Sequence, residues 1–166
     1  MAALAVGAGR YGGAREVRAG IEAWREGETD IEFWRGRLTV LREDPDAVFP
    51  PEDHPPGFDP HGVSVAVVVM QTLARLASLL PGSRCAWLWR HRSTLEESAR
   101  CPLSMAGVAA AALTDLGFTP AAGEMFYLLL RLPGAAAHAV EQSRSGHKTL
   151  PFPNLDLQPH QEFSHP

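Results

Sequence analysis

The chain has only two cysteines, Cys85 and Cys101. That is too few for a disulfide framework, and they lack the paired spacing of a zinc site. Both fit a reducing compartment in which cysteine serves as a small apolar residue. Positive charge is also scarce. Fifteen Lys and Arg face nineteen Asp and Glu, for a formal net charge of −4 with the seven histidines neutral, which argues against a dedicated nucleic-acid surface. The longest apolar run, VSVAVVVMQTLARLASLL, is interrupted by Gln71 and Arg75 and is marginal for crossing a bilayer, so a core helix is expected there and no membrane contact. No charged segment followed by a short apolar run and a cleavage site opens the chain, so no secretory signal is expected and the cytoplasm is the default location. Persistent two-residue alternation is missing too: DIEFW and RLTVL are the short strand candidates, and a parallel sheet needs several strands alternating with helices.

What is present is enough for a core. The chain has 166 residues, of which 45% are apolar and 20% charged, a composition that folds rather than one that stays disordered. Helical spacing recurs between proline- and glycine-rich joints. AREVRAGIEAWR, residues 14–25, sets Val17, Ile21 and Trp24 on one face. Thr29 or Asp30 can cap a second helix running to about Leu41. Residues 42–62 gather six of the fourteen prolines and cannot form a regular helix. A helix over 63–80 ends at Pro81-Gly82, AWLWRHR is a brief aromatic and basic segment, and Ser93-Thr94-Leu95-Glu96-Glu97 reads as a capped helix start. Ser104 to Leu116 is an alanine-rich helix stopped by Gly117, and a long helix over 120–143 is predicted to kink or break at Pro133-Gly134. The expected fold is all-α, with a helical domain over 1–144 and an extended tail over 145–166.

Near the start stands GAGRYG, a formal match to G-x-G-x-x-G. A dinucleotide-binding turn needs a strand before it, a helix after it and an acidic residue about 20 positions on. Met1 to Val6 is short for the strand, and without a parallel sheet the motif loses its context. A nucleotide-binding domain remains the weakest of three functional alternatives.

Five separated segments, residues 10–14, 50–55, 59–61, 102–107 and 131–142, together resemble the C-terminal part of the citrate synthase and citryl-CoA lyase superfamily. Arg10-Tyr11-Gly12-Gly13-Ala14 is similar to the family's "GPxHGGA" turn, or the "RFGGA" of its lyase branch. Pro50-Pro51-Glu52-Asp53-His54-Pro55 sits where the family has "PGFGHP", and Asp59-Pro60-His61 resembles the "DPR" that follows. Pro102-Leu103-Ser104-Met105-Ala106-Gly107 is similar to "PLNIDG", and Arg131-Leu132-Pro133-Gly134-Ala135-Ala136-Ala137-His138-Ala139-Val140-Glu141-Gln142 to "RxxGxxAHxxEQ".

The resemblance implies an enzyme that makes or breaks the bond between an acetyl-CoA methyl carbon and a keto-acid carbonyl. The coenzyme A thioester is then a substrate, and no metal is expected. Such chemistry needs a base for the proton α to the thioester and donors for the developing oxyanions. By resemblance His54 polarises the keto oxygen; the alternative is an exposed loop histidine. Arg131 is the candidate clamp for a substrate carboxylate, the alternative being an internal ion pair with Glu124. Gly12 and Gly13 form the turn on the substrate side. Tyr11 stands in place of the family's other histidine, either as a single hydrogen-bond donor or as packing. Asp59 and His61 fall where the family meets coenzyme A, with histidine replacing a permanently charged arginine.

Two departures weigh against ordinary catalysis. Ala106 occupies the position of the catalytic aspartate, and alanine cannot accept a proton. Asp59 is an acid in a different motif, and Asp115 lies roughly two and a half turns further on. Family members also carry helices preceding the glycine turn, on which this chain nearly begins, so either the chain is a partial gene product or another polypeptide supplies that portion, and the resemblance implies a homodimer or such a hetero-oligomer. The other main alternative is a catalytically inactive subunit that binds acyl-CoA or a small carboxylate. The WLWRH segment, as an adenine-stacking surface or a packing cluster, and the tail histidines His147, His160 and His165 complete the candidates.

Overall fold

The computed structural model describes residues 13–39 and 54–145. Their architecture is all-α. Six helices are found among the described residues: α1 (Ala14–Gly27), α2 (Ile31–Thr39), α3 (Val67–Leu79), α4 (Arg84–Ala99), α5 (Met105–Asp115) and α6 (Pro120–Ser145). Strand pairing among the described residues is limited to one isolated antiparallel bridge, Phe58 with Leu103, so the parallel sheet required by a dinucleotide-binding turn is not found among them. The GAGRYG motif and the tail beyond 145 lie outside the described residues. No described helix is long and apolar enough to cross a membrane. By density of internal contacts the chain divides into two units, Met1–Leu130 and Arg131–Pro166.

The first unit is built around α5. The alanine-rich α5 packs most extensively on α1, while α4 touches α2, α3 and α5. Small residues permit the α1–α5 approach: a Cβ added at Gly20 would lie 2.6 Å from the Ala110 Cβ. Val17, Ile21, Leu73, Leu95 and Val108 are the largest side chains wholly inside, contributing roughly 1.5–3 kcal/mol each by burial. Beside them lies a tryptophan cluster. Trp24 packs on Trp34 at 4.5 Å and on Trp87 at 5.6 Å between ring centroids, and Trp87 also stacks on His91 at 4.4 Å. The aromatic WLWRH segment thus divides: Trp87 belongs to the core, whereas Trp89 is exposed.

Three local expectations are corrected. AWLWRHR and the following Ser93-Thr94 segment form one uninterrupted helix, α4, because its start is fixed upstream. The Ser83 hydroxyl accepts from the Ala86 N–H at 3.1 Å, and the Asp115 carboxylate accepts from the Arg84 N–H at 2.9 Å and the Cys85 N–H at 3.1 Å. With those amides satisfied, Ser93 and Thr94 are ordinary helical positions. The third helix begins at Val67 rather than 63, because the Asp59 carboxylate turns the chain by accepting from the His61 N–H at 3.0 Å and Ala66 stays extended. Helix α6 continues through Pro133, where a kink or break was predicted, so the break does not occur; proline removes one backbone donor but leaves neighbouring turns bonded. Gly117 ends α5 with φ +79, as expected of a helix stop.

Asp115 therefore has a structural role as a cap borrowed by a neighbouring helix. Asp115→Ala is expected to destabilise the chain by about 2 kcal/mol, since it strips a charged partner from two amides. Urea denaturation followed by circular dichroism measures this. Burial, reinforced by the Asp115 charge, pushes the Cys85 thiol up from 9.0 to about 12. The folded chain then holds this proton more tightly than the unfolded chain, so the associated stability is complete below pH 9 and declines as pH rises toward 12. In Cys85→Ala, thermal stability is expected to fall less steeply over that interval.

Candidate functional site

The described part of the proline-rich segment forms a loop clamped onto the start of α5. Its described part begins at His54. Phe58 pairs with Leu103, the Asp59 N–H donates to the Pro102 carbonyl at 2.8 Å, and the Ser104 N–H donates to the Gly57 carbonyl at 3.0 Å. Gly57 takes φ +91, and a Cβ there would approach the Gly107 Cα to 2.9 Å. Two glycines thus let two backbones touch. From the other side, the Glu96 carboxylate, gripped by Arg92 at 3.0 Å, accepts from the Leu103 N–H at 3.2 Å. The Ser104 hydroxyl caps α5 through the Gly107 N–H.

Glu16 lies against this loop, in the first turn of α1 two residues beyond Ala14. Its side chain is 5% exposed, and one carboxylate oxygen accepts from the Gly57 N–H at 3.0 Å. The other oxygen lies 3.5 Å from Nε2 of His54, whose side chain is 13% exposed. A nearly buried carboxylate must be satisfied by donors; among the described residues the Gly57 amide supplies one, and the His54 imidazole faces the second oxygen. The arrangement can hold a proton on His54 or pass one through it, in surroundings largely closed to water.

Of the residues singled out from sequence, His54 has the most developed environment. Gly13 is buried and immediately precedes α1; Tyr11 and Gly12 lie outside the described residues. Asp59 and His61 are exposed and adjoin the Pro102 turn. Ala106 is buried in the first turn of α5. Arg131 belongs to the second unit and is exposed on α6. Glu124, its alternative partner, is engaged in the first unit by Arg18 at 3.4 Å. Among the described residues no group of three or more His, Cys, Asp or Glu is gathered as for a metal ion.

Glu16 lies in none of the segments that carry the resemblance. A signal was nevertheless present in the sequence. Positions 16, 20, 23 and 27 share one helical stripe of Glu, Gly, Ala and Gly, all buried in the structure. A carboxylate on a stripe otherwise reserved for close packing needs a partner within the fold.

Cys101 borders the site. Burial, and secondarily the Asp59 charge, raises its thiol above the ordinary value. It is expected to alkylate more slowly than a free thiol at pH 8, and Asp59→Asn to accelerate it, while Cys85, 2% exposed, stays protected until the fold opens. Mass-spectrometric quantification of iodoacetamide labelling distinguishes the two. Comparison with protein-family models, curated proteins and solved structures gives no match for this chain.

Proposed function

We propose that the protein acts on an acyl-CoA thioester and a small keto acid, forming or cleaving a carbon–carbon bond in the manner of the citrate synthase and citryl-CoA lyase superfamily. The observation that carries this reading is a convergence. Two stretches of sequence bearing the resemblance, far apart along the chain, meet in one packed site, the loop from His54 to Gly62 and the turn from Pro102 to Gly107, and Glu16, two residues beyond the third at Ala14, bonds to the same loop. In this reading the resemblance gives His54 the carbonyl oxygen, Tyr11, Gly12 and Gly13 the substrate side, Asp59 and His61 the coenzyme A contact, and Arg131 the carboxylate. Exposed apolar side chains support action as a homodimer or with a second chain: Val67 and Val68 on α3, and Met125, Leu129 and Leu130 on α6, are each more than half exposed.

The second reading is a subunit that binds acyl-CoA or carboxylate without turning it over. Ala106 favours it, being buried and offering no proton acceptor where the family has aspartate. The test is turnover of acetyl-CoA with oxaloacetate and, separately, of citryl-CoA, with ligand binding followed by calorimetry in the same samples. Turnover lost about 10²-fold or more in His54→Ala supports the enzyme. Binding without turnover supports the subunit, and neither binding nor turnover rejects both.

A further inference from the structure

The structure raises the question of what replaces the carboxylate missing at Ala106, and we infer that Glu16 and His54 form a proton-accepting pair in which Glu16 positions the ring and His54 Nδ1 is the accepting atom. The inference takes its substrate from the acyl-CoA reading but rests on geometry independent of it. One Glu16 oxygen is fixed by the Gly57 N–H at 3.0 Å, leaving the other facing His54 Nε2 at 3.5 Å. A carboxylate only accepts, so a neutral imidazole beside it carries its proton on Nε2 and bares a lone pair on Nδ1. The 3.5 Å separation is long for a hydrogen bond, as is usual for such pairs before a ligand tightens them. The Gly57 loop that fixes Glu16 also touches Gly107, the neighbour of Ala106. The pair therefore adjoins the turn where the family carries its base.

The proton balance closes on one residue. His54 Nδ1 takes a proton from the carbon α to the thioester, breaking C–H and forming N–H, and leaves an enolate. Glu16 stabilises the resulting imidazolium through Nε2–H. As the enolate carbon attacks the keto carbonyl, Nδ1–H returns the proton to the carbonyl oxygen, which becomes a hydroxyl. His54 thus serves first as acceptor and then as the carbonyl donor expected from sequence. Glu16 exchanges no proton with the substrate and acts only through the ring.

The deciding experiment uses Glu16→Gln. The amide oxygen of this variant must face the Gly57 N–H, since its NH2 group cannot accept. The NH2 group then points at His54 Nε2, which has to become an acceptor, and the ring proton moves to Nδ1. Long-range 1H–15N spectra of the full chain at alkaline pH, with the His54 signals assigned by their loss in His54→Asn, read the tautomer directly. Nε2–H in the natural chain and Nδ1–H in Glu16→Gln is the expected result. The Nδ1–H form in the natural chain overturns the inference without any variant, and an unchanged Nε2–H form in a folded Glu16→Gln overturns it as well. In parallel, deuterium uptake into the methyl group of acetyl-CoA in D2O is expected to fall about 10²-fold or more in Glu16→Gln. If the tautomer switches as expected but the natural chain exchanges no methyl protons, the acyl-CoA reading fails and the pair stands.

Discussion

Replacing Trp24 with alanine is expected to cost about 3–5 kcal/mol, within the range for truncating a buried aromatic. Trp24 is 2% exposed and touches both Trp34 and Trp87, so one truncation removes two ring–ring contacts as well as the buried area. Its neighbours have little freedom to fill the space. The Trp34 Nε1–H is committed to the Glu28 carbonyl at 3.0 Å, and Trp87 is held on a helix capped from two sides. A domain with a total stability of about 5–15 kcal/mol would lose a large fraction of it. The checks are the urea midpoint and the near-ultraviolet circular dichroism of the coupled indoles. Trp89→Ala, which removes an exposed ring, is the contrasting variant and should shift the midpoint little. Equal effects of the two substitutions would show that the cluster is not the centre of the core.

The second large effect is expected at Gly57. Its φ of +91 excludes ordinary side chains, and a Cβ would stand 2.9 Å from the Gly107 Cα, where backbone must yield because no flexible side chain can. Gly57→Val combines left-handed strain with overpacking and is expected to cost about 2–5 kcal/mol. The loss is not confined to stability. Moving the loop off α5 withdraws the amide that holds Glu16 and displaces His54, so binding and any turnover should vanish even in the fraction that remains folded. Gly36→Ala is the control: nothing lies within 4 Å of its added Cβ, and in the interior of α2 it should raise stability by about 0.5–1 kcal/mol. Unchanged ligand binding in a folded Gly57→Val would detach the loop from the site.

Much of the helical layout was legible along the chain. Val17, Ile21 and Trp24 recur at helical spacing and are buried together on α1, and Gly117 and Pro81 end helices where a backbone of their kind must. Helix starts were less legible. Ser83 is an ordinary serine in sequence, and the second half of the α4 cap comes from Asp115, thirty-one residues from the Arg84 amide it holds. A cap supplied from another helix leaves no local pattern, so the apparent signal at Ser93-Thr94 looked stronger than the real one.

The site divides in the same way. Sequence by itself determined an all-α chain with sparse cysteine and a slight acidic excess, and it put His54 in a proline-rich loop and an alanine at position 106. These follow from composition, periodicity and the fixed chemistry of proline and alanine, all of which are local. Only the tertiary structure decided that the loop folds back on the turn before α5, and that Glu16 is the carboxylate facing His54. It likewise assigned Asp115 to a helix cap and Glu124 to Arg18. The physical reason is that a buried charge is defined by its partners, and partners forty-one residues apart, as Glu16 and Gly57 are, become neighbours only when helices pack.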